Sequence, residues 1–364
     1  MDFTSDDIRT VTAGVGLDGP IVSLERIKIG HINDTYRVAV QDRAGREHRL
    51  VCQHLNQYVF PDPVRLMENF QRVTAHLAPK VSDPERGTLR LLTSGGRPYF
   101  LDPQGNHWRV VYFVDNTYTI DVARSPAQIA AAARAFGEFQ HQLVDLPAPR
   151  LHETIHNFHY TPGRFQALQD AIARDAVNRA AQCRSEIAFA LARQSMTTVV
   201  TDAIASGAIP ERITHNDTKI NNILFDRDTD QTVCVIDLDT VMPGSALYDF
   251  GDMVRSSAGD FQENEKDLSR VALVPERFAA LVEGYTAAAG FLNDREFELL
   301  PFAGRLLTFE CGIRFLTDYL MGDKYFRISH PTENLDRART QLRFVAELER
   351  REGELVAAVK RRRR

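Results

Sequence analysis

Polar side chains stand at short, defined spacing near the middle of this 364-residue chain. Asp217 is followed two positions later by Lys219 and five positions later by Asn222, and Asp237 comes after the next two apolar runs. A carboxylate can accept the proton of an attacking hydroxyl, a lysine can contact phosphate oxygens, and carboxylate and amide oxygens bind hard cations. Transfer of a phosphoryl group from a nucleotide to an alcohol requires these groups. We therefore interpret Asp217 and Lys219 as candidate catalytic residues, and Asn222 and Asp237 as candidate metal ligands.

Two short strand signals connect the candidate metal ligands. Residues 222–225 and 232–236 are apolar runs joined by a turn rich in Asp and Thr, which predicts one β-hairpin. Because hairpin strands run antiparallel, the open end of this hairpin would bring Asn222 and Asp237 close together. The spacing therefore predicts a Mg2+ site at that end.

The remaining elements divide the chain into two parts. Apolar runs bounded by turn residues predict strands at 21–29, 36–40, 49–54, 89–92, 99–101 and 108–114. Apolar residues spaced by three and four predict helices at 63–77, 125–143, 185–205, 275–291, 297–320 and 334–355. We therefore expect an α+β protein of two lobes. Residues 1–114 would form an N-terminal lobe, an antiparallel sheet with one helix, and residues 115–364 a larger, mostly helical C-terminal lobe with the catalytic loop.

The amino-acid composition and the charge limit which partners and which cell compartment we expect. The 44 basic and 49 acidic residues leave a net charge of −5, although five basic residues are concentrated in Lys360–Arg364. An acidic body argues against nucleic acid as a partner. Uncharged stretches fall short of the ~20 apolar residues that span a bilayer, and the N-terminal residues lack the basic and apolar regions of a signal peptide. The four cysteines are widely spaced, as in reduced proteins. We expect a cytoplasmic protein with no membrane partner, whose oligomeric state the sequence leaves open.

A second motif competes with this interpretation. His152 and His156 belong to a literal HExxH pattern, the signature of zinc peptidases. Such a site needs both histidines on one stable helix, but Pro147, Pro149 and Pro162 bracket too few residues for one. We expect a loop at this place.

The segment His215-x-Asp217-x4-Asn222, with the strand and Asp237 that follow, resembles the phosphotransferases with a protein-kinase-like fold. This superfamily includes aminoglycoside, choline and small-sugar kinases. The resemblance implies ATP and Mg2+ as cofactors. It also implies nucleotide contacts from Gly30, Asn33 and Thr35 on a loop over the phosphates, from Gln53 on a strand, and from Tyr112 and Val114 beside the adenine.

The nucleotide-binding part departs from the kinase pattern in two places. The loop that begins at Gly30 lacks the sequence G-x-G-x-x-G, and Gln53 stands where a strand lysine is expected. A neutral Gln can donate a hydrogen bond to a phosphate but cannot neutralise its charge. We therefore expect activity to depend strongly on a divalent cation. Glu68 occupies the place of the kinase helix glutamate, but it has no lysine partner.

Within this superfamily, the chain most resembles the N-acetylhexosamine 1-kinases. The similarity is carried by the segments 30–36, 153–159, 214–219, 236–244 and 314–320. It implies transfer of the γ-phosphate of ATP to the anomeric hydroxyl of N-acetylglucosamine or N-acetylgalactosamine, with His31, Arg314 and Tyr325 holding the sugar. Two positions differ, because this family usually has Gly at Asn216 and Trp at Leu238.

Two alternatives stay open. A kinase of the same fold could instead phosphorylate an aminoglycoside, an amino alcohol or another hexose. The second alternative is a nucleotide-binding scaffold without catalytic activity, which is suggested by Gln53 and by the single Gly30 in the loop. The presence of Asp217, Lys219 and both candidate metal ligands argues against an inactive scaffold.

Overall fold

The computed structural model describes residues 3–27 and 32–363. The chain forms two compact units. The first comprises Met1–Tyr118, Asp145–His156 and Leu224–Met242, and the second comprises Thr119–Val144, Asn157–Ile223 and Pro243–Arg364. Two later stretches of the chain thus return to the first unit. The lobe boundary expected after residue 114 remains a prediction.

The first unit is built on a five-stranded antiparallel sheet with the order β1-β2-β3-β5-β4. Its strands are β1 (Ile21–Ile27), β2 (Asp34–Gln41), β3 (Glu47–His54), β4 (Phe100–Leu101) and β5 (His107–Tyr112). In this register Gln53 lies opposite Thr35 on one side and Arg109 on the other. The core below the sheet contains Trp108 and Leu50, both fully buried.

Two helices and a small second sheet complete this unit. Helix α2 (Pro63–Leu77) begins after Asp62, whose side chain accepts a hydrogen bond from the backbone N–H of Arg65, and Pro63 occupies its first turn. Helix α1 (Ser5–Gly14) begins with a capping box formed by Thr4 and Asp7. The second sheet has the order β6-β8-β9 and consists of β6 (Thr117–Tyr118), β8 (Ile223–Asp226) and β9 (Thr232–Val235).

The second unit is mostly helical. Its helices are α3 (Pro126–Leu143), α4 (Thr161–Arg174), α5 (Arg184–Leu191), α6 (Val199–Ala205), α7 (Ala246–Ser257), α8 (Pro275–Ala288), α9 (Asp294–Leu320), α10 (Glu333–Arg350) and α11 (Glu352–Lys360). Helix α9 packs against α4, α7 and α10. Its buried side chains, such as Phe309, Ile313 and Leu316, each stabilise the fold by roughly 1.5–3 kcal/mol. Strands β7 (Arg212–Thr214) and β10 (Met242–Gly244) form a two-stranded sheet.

The fold class expected from the sequence is confirmed, whereas several individual elements differ. The single helix expected at 185–205 is wrong. The chain forms α5 and α6 with a tight turn between them, where the Thr197 hydroxyl donates to the carbonyl of Gln194 at 2.7 Å. Residues 89–92 contribute an isolated bridge between Leu91 and Val111 instead of a strand. Helices α1, α4 and α7 were not predicted, and the helix expected at 334–355 is divided at Arg351 into α10 and α11.

None of the helices within residues 3–27 and 32–363 is both long and apolar enough to cross a membrane.

Candidate active site

The structure brings Asp217, Lys219 and Asn222 together on the loop that follows β7. The ammonium group of Lys219 lies 2.9 Å from Oδ1 of Asp217. The side-chain amide of Asn222 donates to the backbone carbonyl of Asp217 at 2.8 Å and to its Oδ2 at 3.1 Å. Lys219 and Asn222, both close in sequence to Asp217, thus converge on its carboxylate, which can accept a proton from a substrate hydroxyl.

The charge state of Asp217 is set by its neighbours. Burial alone would raise the pKa of Asp217, but the charge and hydrogen bond of Lys219 lower that pKa to about 2. In turn, the charge of Asp217 raises the pKa of Lys219. The carboxyl group is therefore ionised, and able to accept a proton, throughout the neutral pH range.

A buried carboxylate on α7 holds the backbone of this loop. Asp249 accepts hydrogen bonds from the backbone N–H groups of His215 and Asn216 at 2.9 and 2.7 Å. It also accepts a bond from the side-chain amide of Gln140 at 2.6 Å, and its backbone carbonyl accepts from the hydroxyl of Thr218. Burial raises the pKa of Asp249 to about 6, against the lowering effect of these donors and of nearby charge. Asp249 therefore fixes the loop immediately before Asp217.

The backbone at Asn216 has the left-handed conformation, with φ 65°. Glycine and asparagine adopt this region most readily, which accounts for Asn at a place where the resembling family usually has Gly. The side-chain amide of Asn216 donates to the backbone carbonyl of Thr214. The hydroxyl of Thr214 donates to Oδ1 of Asn216 at 3.0 Å. Gly244 lies against this turn, and a Cβ atom there would come within 2.4 Å of the Thr214 hydroxyl. The left-handed backbone at Asn216 and the close packing at Gly244 therefore both restrict the conformation of the loop.

His159 supports the same loop from the other side. Its Nδ1 lies 2.7 Å from Oε1 of Glu310, and its Nε2 lies 2.9 Å from the backbone carbonyl of Asn216. Because both partners are acceptors, both ring nitrogens must carry hydrogens, so the ring is an imidazolium. Burial opposes this charge, but Glu310 outweighs it and raises the pKa of His159. Sequence reasoning assigned no such role to His159 or Asp249, because their partners are distant in sequence.

In the first unit, the residues after Asp237 form a second polar centre. Asp237 has the left-handed conformation, with φ 61°, and precedes a single turn of 3-10 helix, Leu238–Thr240. Asp239 in this turn pairs with Arg109 and accepts a hydrogen bond from the side-chain amide of Asn33 at 2.7 Å. Thr154 donates to the carbonyl of Asp239 at 2.7 Å. This turn therefore connects Asn33, which was predicted to contact the nucleotide, with strand β5.

Gln53 and Thr35, two of the expected nucleotide contacts, belong to this centre. The Oε1 atom of Gln53 accepts from Nε and Nη2 of Arg109 at 3.0 and 2.6 Å, and its amide nitrogen lies 3.2 Å from the hydroxyl of Thr35. Glu68 lies elsewhere in the unit, 2.8 Å from Nε2 of His152. Arg109, a buried cation beside Gln53, is the residue that sequence reasoning missed. Only its position opposite Gln53 in the sheet could have revealed it.

The other expected nucleotide contacts have different outcomes. Gly30 and His31 lie outside the described residues. Tyr112 is the last residue of β5, and its backbone N–H donates to the carbonyl of Arg90 at 3.0 Å. Val114 is buried, and its carbonyl accepts from the hydroxyl of Thr117 at 2.7 Å. The assignment of Tyr112 and Val114 to the adenine therefore stays a prediction.

The HExxH segment is not helical. Its histidines face different partners, since His152 contacts Glu68 and His156 contacts Glu153 at 3.2 Å. The loop expected from the prolines is confirmed.

Arg314 and Tyr325, expected to hold the acceptor, come together in the second unit. The guanidinium carbon of Arg314 lies 5.9 Å from the ring centroid of Tyr325, 5.6 Å from that of Phe158 and 5.5 Å from that of Phe326. Tyr325 is 54% exposed. Burial and the neighbouring charge of Arg314 lower the pKa of Arg164. This part of the unit therefore presents aromatic faces and two guanidinium groups.

The donor set of the expected metal ligands suits magnesium. Both hydrogen bonds from Asn222 use its amide nitrogen, which leaves Oδ1 available as a ligand. Carboxylate oxygens are also hard donors of the kind that Mg2+ prefers, and Asp237, in the first unit, stays a predicted ligand.

An antiparallel sheet in one unit and a larger helical unit are the parts of a kinase-like fold. Residues 23–298 match the model of the phosphotransferase enzyme family, and the chain belongs to that family.

Solved structures agree with this fold. An aminopropanol kinase associated with a microcompartment is 18% identical, with a TM-score of 0.63, over 92% of this chain and 93% of its own. A spectinomycin phosphotransferase, solved with ADP and spectinomycin, is 11% identical, with a TM-score of 0.55, over 91% of this chain and 94% of its own. The choline kinase of Cryptosporidium parvum Iowa II is 12% identical, with a TM-score of 0.53, over 90% and 89% of the two chains. At these identities the likeness concerns the fold.

Proposed function

We propose that this phosphotransferase moves the γ-phosphate of ATP to the anomeric hydroxyl of an N-acetylhexosamine and releases the sugar 1-phosphate. The observation that carries the transfer is the convergence of Lys219 and Asn222 on the carboxylate of Asp217. Asp217 accepts the proton of the attacking hydroxyl as the new O–P bond forms. The γ-phosphate leaves the bridging oxygen, and ADP carries away the negative charge.

The low pKa of Asp217 suits a hydroxyl that gives up its proton readily. A carboxylate with a pKa of about 2 is a weak base, so it assists mainly by orienting the hydroxyl and receiving its proton late in the reaction. An anomeric hydroxyl is more acidic than an ordinary alcohol and needs less help. Lys219, which is 42% exposed, can contact phosphate oxygens while it remains beside Asp217. Mg2+ would be held by Asn222 and Asp237 and would supply charge neutralisation to the nucleotide phosphates.

The surroundings of Arg314 support a neutral, oxygen-rich acceptor. Within the described part of the chain, Arg314 forms no hydrogen bond or ion pair, and its guanidinium lies near three aromatic rings. Its N–H groups can therefore donate to sugar hydroxyls or to an acetyl carbonyl, while the exposed ring of Tyr325 can pack against the sugar. A second guanidinium, on Arg164, repels a cationic acceptor. His31 remains a proposed sugar contact on grounds of resemblance.

Phosphorus NMR of ATP and Mg2+ with one acceptor at a time tests the proposal. The acceptors are N-acetylglucosamine, N-acetylgalactosamine, glucose, aminopropanol, choline and an aminoglycoside. We expect a sugar 1-phosphate signal with the two N-acetylhexosamines. Phosphorylation of aminopropanol, choline or the aminoglycoside alone would overturn the sugar assignment and keep the kinase. Binding of ATP without turnover of any acceptor would favour the inactive scaffold.

Two variants test the proposed roles of Asp217 and Arg314. Asp217→Asn keeps the size of the side chain but removes its basicity, so turnover should fall by about 100-fold or more, while binding of ATP is retained. Arg314→Met should raise KM for the sugar and leave KM for ATP unchanged. Full activity of Asp217→Asn would contradict the mechanism.

A further inference from the structure

Arg109 is an unusual residue in the sheet of the first unit. It is a charged side chain in the middle of β5, yet it is only 2% exposed. Its guanidinium carbon lies 4.5 Å from the ring centroid of Phe70 on α2. A buried charge is costly unless it is fully paired, so its partners show why it is kept.

All three nitrogens of the Arg109 guanidinium have acceptors. Nε and Nη2 donate to Oε1 of Gln53 at 3.0 and 2.6 Å, and Nη1 donates to Asp239. Asp239 is itself only 3% exposed. Arg109 is therefore held in one position, with each of its three side-chain nitrogens bonded to Gln53 or Asp239.

The pairing with Arg109 determines which way Gln53 points. Because Oε1 of Gln53 faces the guanidinium, its amide nitrogen faces the opposite strand, where it lies 3.2 Å from the Thr35 hydroxyl. An amide whose oxygen accepts two charge-assisted hydrogen bonds is a better donor at its nitrogen. The Thr35 oxygen accepts this bond, and the Thr35 hydroxyl donates in turn to the backbone carbonyl of Asn33 at 3.5 Å, so the orientation of Thr35 is also set.

The pairing with Asp239 orients a second residue of the phosphate loop. Asp239 accepts from the side-chain amide of Asn33 at 2.7 Å, and Oδ1 of Asn33 accepts from the backbone N–H of Asn56 at 3.0 Å. Asp239 also lies in the turn that directly follows Asp237, a proposed magnesium ligand. One guanidinium thus orients Asn33, Thr35 and the turn after Asp237.

We propose that Arg109 is the positioning residue for the nucleotide phosphates, and that through Gln53 and Asp239 it takes over the role of the missing strand lysine. In this arrangement the positive charge comes from the neighbouring strand, and its acidic partner is Asp239 instead of Glu68. The inference rests on the proposed use of ATP, but it is independent of which acceptor is phosphorylated.

Binding of Mg·ATP by the full chain, measured by calorimetry without any acceptor, tests this role. Arg109→Met combined with Asp239→Asn removes both buried charges and keeps the volumes similar, so that no unpaired charge is left to unfold the protein. We expect this pair of changes to weaken binding of Mg·ATP by about tenfold or more. This is the typical cost of removing a residue that orients the direct ligands of a bound group. Arg37→Met on β2, where Arg37 pairs with Glu25 at the surface, is the control and should leave the dissociation constant unchanged.

An exchange variant separates positioning from simple structural support. Gln53→Arg with Arg109→Gln returns the charge to β3 and keeps an Arg opposite a Gln. We expect it to recover most of the affinity lost in Arg109→Gln alone. Wild-type affinity in a folded Arg109→Met/Asp239→Asn protein would overturn the inference and leave the kinase proposal intact. If the wild-type chain itself fails to bind Mg·ATP, the proposed function falls and this inference falls with it.

Discussion

Asn222 donates its side-chain amide to both the backbone carbonyl and the carboxylate of Asp217, at 2.8 and 3.1 Å. Because the amide nitrogen is used twice on one residue, the orientation of Asn222 is fixed and its oxygen points away from Asp217. The residue proposed to bind the metal therefore also positions the proposed proton acceptor.

The first prediction concerns the role of Asn222 in binding magnesium. Asn222→Ala removes one proposed ligand and the support of Asp217, so the concentration of free Mg2+ needed for half-maximal activity should rise by about tenfold or more. The measurement is the initial rate against free Mg2+ at fixed ATP. Asn221→Ala is the neighbouring control and should behave as wild type, because the side chain of Asn221 donates to Asp121 at 3.4 Å and, among the described residues, forms no hydrogen bond with Asp217. An unchanged magnesium requirement in Asn222→Ala would remove Asn222 from the proposed metal site.

The second prediction concerns the dependence of activity on pH. Lys219 lowers the pKa of Asp217 to about 2 against the effect of burial. In Lys219→Met the largest effect opposing burial is lost, although the charges of His215 and Arg255 still lower the pKa of Asp217. That pKa should therefore rise, and the acid limb of kcat/KM should move to higher pH. Lys219→Arg keeps the charge and should keep the wild-type limb. Identical acid limbs in Lys219→Met and Lys219→Arg would show that Lys219 does not control Asp217.

The third prediction concerns stability and His159. Its pKa in the folded chain is raised by Glu310, so the stability from this pair is complete below the unfolded pKa near 6.5. It is lost as pH rises through the folded pKa. In His159→Gln the free energy of unfolding should lack this decline. Denaturation with urea at several pH values above 6 measures the difference between the two proteins. A constant difference across that range would mean that His159 is neutral in the folded state.

The fourth prediction concerns the left-handed backbone at Asn216. Asn216→Gly keeps a residue suited to φ 65° and loses the side-chain contacts, among them those with Thr214. Asn216→Val places a β-branched residue in the same conformation and should lower the free energy of unfolding by a further 1–3 kcal/mol, roughly the cost of such strain. Urea denaturation of the two variants measures the difference. Equal stability of the Gly and Val variants would show that the loop relaxes to another conformation.

Expectations based on local sequence agree best with the structure. Asp217, Lys219 and Asn222 lie within six positions of one another, so their spacing alone indicated that they would share a loop. Helix α2 spans Pro63–Leu77, as the spacing of its apolar residues predicted. The continuous helix expected at 185–205 failed because the pattern of apolar residues does not record the turn that Thr197 closes with its hydroxyl.

Pairs that are distant in sequence could not be predicted in this way. Gln53 by itself indicated only a missing lysine, and nothing near it in the sequence points to Arg109, which lies 56 positions later. The same holds for His159 and Glu310, separated by 151 positions. The amino-acid sequence determined the class of chemistry, because that chemistry depends on a few residue types at short spacing. Only the tertiary structure decided how Arg109 replaces the strand lysine and how His159 and Asp249 hold the loop, because those contacts depend on strand register and helix packing.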